Sequence, residues 1–126
     1  SVAPADWPGS LPEFLVFREL LRRGLREGSD FVYQSPFMGG RIQRGGVVID
    51  FLFTEPPGLA INVQGVYWHY GLGVETRARD ILARAQLAGE GITLILIDED
   101  DILQDVRYIV GEALQSRDHS RLTRGG

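Results

Sequence analysis

The stretch VVIDFLFTEPPGLAINVQG, residues 47–65, contains two runs of β-forming residues separated by a turn. The first run, residues 47–53, is apolar except for one acid, and the second, residues 59–65, is interrupted by two amides. Between them, TEPPG carries the prolines and the glycine that break strands and favour turns. We therefore expect the two runs to pair as a β-hairpin.

Apolar residues at helical spacing predict three helices around this hairpin. The first covers residues 10–27, where Ser10 and Glu13 have capping-box spacing. The second covers residues 75–88, and the third covers residues 98–114, with acids in its first turn. On the second helix, one apolar face is formed by Ala78, Ile81, Leu82 and Ala85.

Two more strands complete the pattern. Residues 31–35, FVYQS, form a short candidate, and residues 92–97, ITLILI, are apolar without alternation, which is typical of a strand covered on both faces. A glycine-rich loop, residues 36–46, follows the first of these strands. The resulting order α-β-β-β-α-β-α predicts an α/β domain with a mixed four-stranded sheet flanked by helices.

The length of 126 residues is typical of one domain. We expect an N-terminal extension over residues 1–9, a folded domain over residues 10–115 and a flexible polar tail over residues 116–126. The absence of cysteine excludes disulfides and thiolate metal sites, and two histidines are too few for a histidine-rich site. A metal here would be a hard cation held by carboxylates.

The charge pattern narrows the possible partners. A formal net charge of −4 argues against polyanion binding through net charge alone, although a local basic face remains open. All thirteen basic residues are arginines, which excludes a mechanism that requires a lysine ammonium. No apolar run approaches the roughly 18 to 20 residues that span a bilayer. We expect a soluble protein without a membrane partner, located in the cytoplasm or within a viral particle rather than secreted.

Two acids are candidates for chemistry. Asp50 interrupts an apolar strand, so its carboxylate must be solvated, hydrogen-bonded or bound to a cation such as Mg²⁺. The plain alternative is that Asp50 points to solvent from the polar face of the strand. Glu13 can serve a site at the start of the first helix, or it can simply bind the N-cap amide of its own helix.

The two amides and the aromatic residues that follow them form a second group. Asn62 and Gln64 are two residues apart, so both side chains emerge on the same face of the strand. Trp68, with the neighbouring tyrosines, can stack nucleic-acid bases, and His69 can orient a water or a phosphate. The same cluster is also compatible with a packed edge of the core.

Arginines near these positions could contact phosphates. They lie in the glycine-rich loop and on the second helix: Arg41, Arg44, Arg77, Arg79 and Arg84. A solvated helix face and loop would explain the same arginines without a ligand. The acidic run at residues 98–101 is interpreted as solvation of a strand end and a helix start rather than as a metal site.

Together these residues resemble the PD-(D/E)XK, or restriction-endonuclease-like, superfamily, and within it the small very-short-patch-repair-like endonucleases. That branch has an Asp followed by an aromatic residue, then an apolar-Glu-apolar-Asp-Gly strand with a histidine shortly after it. An Arg-Asp-x-x-x-Arg helix and an apolar strand follow. The matching positions are Asp50-Phe51, residues 61–65, His69, Arg79-Asp80 with Arg84, and Leu87, Gly89 and residues 92–97. The resemblance covers roughly residues 10–114.

The resemblance implies an αβββαβ restriction-endonuclease-like core and a site that binds Mg²⁺ or Mn²⁺. Asp50 matches the metal-binding Asp, and Glu13 matches the acid of the first helix. Asn62 stands where the superfamily has a metal-binding Glu, and Gln64 stands in the position of its Lys. His69 would be an accessory residue. Asn62 is the main departure, because a neutral amide oxygen holds a divalent cation much less well than a carboxylate.

Two functions follow from this resemblance. The first is a Mg²⁺-dependent DNA endonuclease with an atypical site built from Asp50, Glu13 and Gln64, with Asn62 as a weak ligand. The alternative is an inactive nuclease-fold protein that binds DNA or serves, with protein partners, as a component of a larger viral, phage or mobile-element assembly. An RNA-binding domain that uses the aromatic cluster ranks below both.

Overall fold

The computed structural model describes residues 3–34, 42–44, 47–65 and 73–124. Within these ranges, only the backbone is described for residues 42–44, 47, 73–77, 79 and 80. The helices are α1 (Leu11–Arg22), α2 (Gly73–Gly89), α3 (Glu99–Gln104), α4 (Val106–Leu114) and α5 (Arg121–Arg124). The strands are β1 (Phe31–Tyr33), β2 (Ile42–Arg44), β3 (Val47–Ile49), β4 (Phe51–Phe53), β5 (Leu59–Gln64) and β6 (Thr93–Asp98).

Four of the strands form a mixed sheet in the order β1-β4-β5-β6, and β2 pairs with β3 separately. The hairpin predicted from residues 47–65 is confirmed, because β4 and β5 are antiparallel with Phe51 opposite Ile61. Strand β6 runs parallel to β5 after the crossover through α2, with Asn62 opposite Leu96 and Gln64 opposite Asp98. The expected α/β architecture with a mixed four-stranded sheet is therefore confirmed.

Helices cover both faces of this sheet, because alternate strand residues point to opposite sides. On one face, Phe31, Phe51 and Ile61 pack in a core to which α1, α3 and α4 contribute. On the other face, Leu87 of α2 joins Ala60 and residues from β6 in a second core. The buried, unalternating run of β6 is explained by its position between these two cores.

The first of two breaks in predicted elements falls at Asp50. The run 47–53 was expected to be one strand, but β3 ends at Ile49 and β4 begins at Phe51, with a bend at Asp50 between them. The backbone N–H of Asp50 donates to the side chain of Asn62. The side chain thus takes a hydrogen bond that a continuous strand would give to a neighbouring backbone.

The second break divides the helix predicted over residues 98–114. Helix α3 ends at Gln104, and Asp105 has an extended φ of −158° that a helix cannot contain. The Asp105 side chain accepts a hydrogen bond from the backbone N–H of Tyr108, 3.1 Å away, and so acts as the N-cap of α4. A capping acid within a helical pattern starts a new helix here.

Helix α2 meets the sheet through a different face from the one its apolar spacing indicated. Leu87 is fully buried, whereas Ile81 is 67% exposed and Leu82 is 61% exposed. Ala78 and Ala85, which lie on the same face of α2, are also exposed. Among the described parts of the chain, no helix is long and apolar enough to cross a membrane.

The C-terminal segment lies against the edge strand β6. The carboxylate of Asp118 accepts a hydrogen bond from the backbone N–H of Leu96 at 2.9 Å, and Ser120 is fully buried. Leu122 of α5 packs against the core on the α2 side of the sheet. The segment 116–126, expected to be a flexible polar tail, therefore contains buried and helical residues.

Candidate functional site

One end of the sheet brings together the acid and the two amides identified in the hairpin. Strand β4 is antiparallel to β5, so the start of β4 lies beside the end of β5. Asp50 immediately precedes β4, whereas Asn62 and Gln64 lie in the last half of β5. Ile61 and Val63 face the α1 side of the sheet, so the two amides emerge on the α2 side.

The carboxylate of Asp50 is buried and oriented by backbone. Asp50 is only 3% exposed, and its Oδ2 accepts a hydrogen bond from the backbone N–H of Val63 at 2.9 Å. Its backbone carbonyl accepts from the N–H of Gln34, 3.1 Å away. An ionised carboxylate is costly to bury without hydrogen-bond partners. The Asp50 side chain is therefore restricted to orientations that keep such hydrogen bonds. The alternative in which Asp50 points to solvent is therefore excluded.

Asn62 lies beside Asp50 and bonds to the backbone of Asp50 and of Val48, two residues before it. The amide oxygen accepts a hydrogen bond from the N–H of Asp50 at 2.7 Å. The amide nitrogen donates to the carbonyl of Val48, 2.8 Å away. Both polar groups of this half-buried side chain thus contact the bend between β3 and β4.

Glu13 lies near the same end of the sheet but on its other face. The hydroxyl of Tyr33 donates to Glu13 Oε1 at 2.5 Å, and Tyr33 is opposite Phe51, the residue after Asp50. The capping function predicted for this position is present in part, since Ser10 Oγ accepts from the backbone N–H of Glu13 at 3.3 Å. The carboxylate itself is oriented by a tyrosine from the sheet.

Asp98 is a second buried acid at this end, and its position was not predicted as part of the site. It ends β6 opposite Gln64 and is fully buried. Its Oδ1 accepts from Ser120 Oγ at 2.7 Å, and its Oδ2 accepts from the backbone N–H of Arg121 at 3.0 Å. The signal in the sequence was an acid at the end of a largely apolar strand, where ligand-binding residues of parallel sheets often lie.

Asp98, Asp100 and Asp101 form an acidic group in which one carboxylate oxygen from each residue lies within 4.8 Å of the others. Burial raises the pKa of Asp101, and the neighbouring carboxylates of Asp100 and Asp98 raise it further. Arg121 supplies positive charge, since its guanidinium bonds to Asp100 and its Nε lies 3.6 Å from Asp98. The group has the donor atoms that could bind a hard cation, although an arginine already shares it.

Among the arginines expected to contact nucleic acid, Arg84 has well-defined protein partners. Its guanidinium donates to Asp118 at 3.1 Å and to Thr123 at 2.7 Å. A phosphate at Arg84 would compete with these contacts. The remaining predicted residues lie where the structure gives no side-chain description: Arg41, Arg44, Trp68, His69, Arg77 and Arg79.

The donor atoms in the described part of the candidate site are oxygens. Asp50 and Glu13 carry carboxylates and Gln64 carries an amide oxygen, whereas the amide oxygen of Asn62 already accepts the Asp50 N–H. Such donors suit Mg²⁺ or Mn²⁺ rather than softer metals.

The fold is similar to that of a solved structure, the catalytic domain of the homing endonuclease I-Bth0305I. The superposition has a TM-score of 0.56 and covers 86% of this chain and 97% of that domain, at 18% sequence identity. No protein-family model matches the sequence, and no curated protein matches it significantly. The similarity is one of fold, and it supports a nuclease-like α/β architecture.

Proposed function

We propose that this chain is a divalent-metal-dependent DNA endonuclease domain of the PD-(D/E)XK type, close to the very-short-patch-repair-like branch. The observation that carries the proposal is the buried carboxylate of Asp50 at a strand break in a nuclease-like fold. A buried carboxylate that backbone hydrogen bonds hold in one orientation offers a fixed oxygen donor of the kind that a hard cation binds. The likeness to nearly all of a homing endonuclease catalytic domain supports DNA as the substrate.

The proposed site divides its work among a few residues. Asp50 would hold Mg²⁺ or Mn²⁺, which when bound polarises the phosphodiester and lowers the pKa of a coordinated water. The Val63 N–H keeps the Asp50 carboxylate in one orientation. Gln64, half-buried two residues beyond Asn62 on the same face, would accept a hydrogen bond from the attacking water and orient it. His69 would assist as an accessory residue.

Two further acids support the site from its sides. Glu13 would add negative charge at the same end of the sheet from its α1 face, where Tyr33 fixes its carboxylate. Asp98 would contribute from the end of β6, opposite Gln64. DNA would be held near the site by Arg41, Arg44, Trp68, Arg77 and Arg79, with Arg84 taking part only if it releases Asp118.

A DNA nicking assay with Asp50→Asn tests the proposal. The wild type is expected to cut supercoiled, linear, branched or single-stranded DNA with Mg²⁺ or Mn²⁺, and Asp50→Asn to lose about 100-fold or more in rate. The amide keeps an oxygen for the Val63 N–H, so thermal unfolding should show a folded variant. Asp6→Asn makes the same chemical change at an exposed turn and should leave cleavage unaltered.

The outcomes separate cleanly. Absence of cleavage by the wild type on all four DNA forms, with no Mn²⁺ binding by calorimetry, would reject the endonuclease. So would full activity in a folded Asp50→Asn protein. Cleavage that disappears in Asp50→Asn and persists in Asp6→Asn would support it.

A further inference from the structure

The side-chain amide of Asn62 closes a hydrogen-bonded ring around the bend at Asp50. Its oxygen accepts from the Asp50 N–H at 2.7 Å, and its nitrogen donates to the Val48 carbonyl at 2.8 Å. A backbone N–H can only donate and a carbonyl can only accept, so the amide has one possible orientation. Both of its functions, donor and acceptor, are needed at this position.

The side chain of Asp50 in turn bonds to β5, the strand that contains Asn62. Its Oδ2 accepts from the backbone N–H of Val63, the residue after Asn62, at 2.9 Å. Three hydrogen bonds therefore connect the bend at residues 48–50 with two consecutive residues of β5. Because one bond is made by the backbone of Asp50 and another by its carboxylate, the ring fixes both the torsion of the chain and the direction of the acid.

We propose that Asn62 is a positioning residue, which holds the carboxylate of Asp50 in place and does not serve as a metal ligand. The inference rests on the proposed function for its meaning, since it assigns a role at the same site. An acid at position 62 would lack the N–H that bonds to Val48, and its carboxylate would face that carbonyl. The amide is therefore the residue that this bend requires, rather than a weakened copy of a metal-binding Glu.

The variant Asn62→Asp distinguishes the two roles because they predict opposite signs. If position 62 binds metal, the added carboxylate should tighten Mn²⁺ binding. If Asn62 positions Asp50, Mn²⁺ binding stays the same or weakens. The Asp50 amide proton also exchanges about tenfold faster, because the carboxylate is repelled by the Val48 carbonyl and turns away from the bend. Calorimetry and hydrogen exchange measure the two quantities, and tighter Mn²⁺ binding by a folded Asn62→Asp protein would overturn the proposal.

The references for Asn62→Asp are the wild type and one matched control variant. Gln86→Glu turns an amide into an acid at an exposed position of α2, so it controls for the added negative charge. Asn62→Asp should lower the melting temperature by roughly 3 to 10 °C relative to the wild type. Gln86→Glu should leave both the melting temperature and the exchange of the Asp50 amide as they are in the wild type.

Acid pH provides a second readout, which applies even if Asn62→Asp is strongly destabilised at neutral pH. A protonated Asp carries an O–H that can donate to the Val48 carbonyl, as the amide N–H does. The difference in melting temperature from the wild type should therefore shrink as pH falls below about 4. A difference that stays constant from pH 7 to pH 3.5, or that grows, would overturn the positioning role.

Cleavage rates connect the ring to the reaction and separate the two proposals. At saturating Mn²⁺, Asn62→Asp should lower kcat at neutral pH, because more metal does not restore the direction of Asp50. If the wild type proves unable to cut DNA, the proposed function fails, but the exchange and pH measurements still decide whether Asn62 holds Asp50. If the wild type cuts and Asn62→Asp retains its full kcat, the positioning role alone fails.

Discussion

Gly9 shows how closely the residues around Glu13 are packed. A Cβ at this position would lie 2.1 Å from Tyr33 Oη and 2.6 Å from Glu13 Oε1. These are the two atoms whose hydrogen bond orients the Glu13 carboxylate. The space that glycine leaves open is therefore part of what allows a tyrosine of the sheet to reach an acid of α1.

Substituting alanine for Gly9 should disrupt this contact. We expect Gly9→Ala to lower the free energy of unfolding by about 1 to 3 kcal/mol, because the methyl group must push Tyr33 or Glu13 aside. Chemical denaturation measures the loss. In Gly89→Ala, no atom lies within 4 Å of the new Cβ, and stability should be unchanged or slightly higher. Equal stability of Gly9→Ala and Gly89→Ala would contradict close packing around Gly9.

Single residues of the proposed site were partly predictable. Asp50 was identified because a carboxylate in an apolar run needs a reason, and the structure gives it a buried position with a backbone donor. Asn62 was identified by its place two residues from Gln64, but its hydrogen bonds to Val48 and Asp50 depend on a bend in the facing strand. No pattern along β5 itself contains that information.

The division between α3 and α4 depends on one capping residue. Asp105 adopts an extended conformation, and its side chain accepts the N–H of Tyr108 at 3.1 Å, which satisfies one of the free donors at the start of α4. The helical spacing of apolar residues continues across this break, so it predicts one helix. A capping acid inside such a pattern is the local feature that indicates two helices.

Removing this cap should weaken α4. We expect Asp105→Ala to lower the free energy of unfolding by about 0.5 to 2 kcal/mol, the usual cost of losing an N-cap side chain. Gln104→Ala, one residue earlier at the exposed end of α3, should change stability by a few tenths of that or less. Urea titrations of the two variants compare them, and an undiminished midpoint for Asp105→Ala would show that the cap is not required.

Helix α2 illustrates the limit of periodicity for an element. The spacing of Ile81 and Leu82 indicated which residues share a face, and that grouping is correct. It did not indicate that Leu87 and the partly buried Arg84 would face the fold instead. Arg84 bonds to Asp118, a residue 34 positions later, so the orientation of α2 depends on a distant segment.

Helices α1 and α4 are joined through a buried carboxylate in the fold as a whole. Glu19 is only 4% exposed and accepts hydrogen bonds from Arg22 at 2.8 and 2.7 Å and from Arg23 at 2.9 Å. Arg23 also donates to the carbonyl of Arg107 on α4, 2.9 Å away. It crosses α4 at Gly111, where a Cβ would lie 2.9 Å from the guanidinium.

This arrangement should make the protein sensitive to acid. The hydrogen bond from Arg22, with that from Arg23, holds the pKa of Glu19 below its usual range despite burial. The folded state thus binds this proton less tightly than the unfolded state. The contribution to stability is complete above about pH 4.3 and is lost as pH falls through the lower folded pKa.

Denaturation midpoints between pH 7 and pH 3 check this prediction. Below about pH 4.3, the wild type should lose stability more steeply than Glu19→Gln, in which position 19 no longer titrates. Glu27→Gln, an exposed position after α1, should follow the wild-type profile. Parallel profiles for the wild type and Glu19→Gln would show that Glu19 does not contribute to acid unfolding.

The C-terminal segment connects the end of the chain to the edge strand β6. Asp118 accepts from the Leu96 N–H at the open edge of β6, and Ser120 bonds to Asp98 at the end of that strand. The polar composition of residues 116–126 suggested a flexible tail. The residue types that bond to a sheet edge are the same as those that contact water. Only the position of the β6 edge distinguishes a segment that bonds to the sheet from one that contacts water.

The sequence by itself determined the local elements and the sheet. Alternation, apolar runs and turn residues depend on neighbours within a few positions, so they predicted the hairpin, the buried strand β6 and the mixed sheet with helices on both faces. The tertiary structure alone decided which side chains meet: Asn62 with the bend at Asp50, Glu13 with Tyr33, and Asp98 with Ser120. These contacts join residues 12 to 22 positions apart, and their geometry is set by packing that no local pattern records.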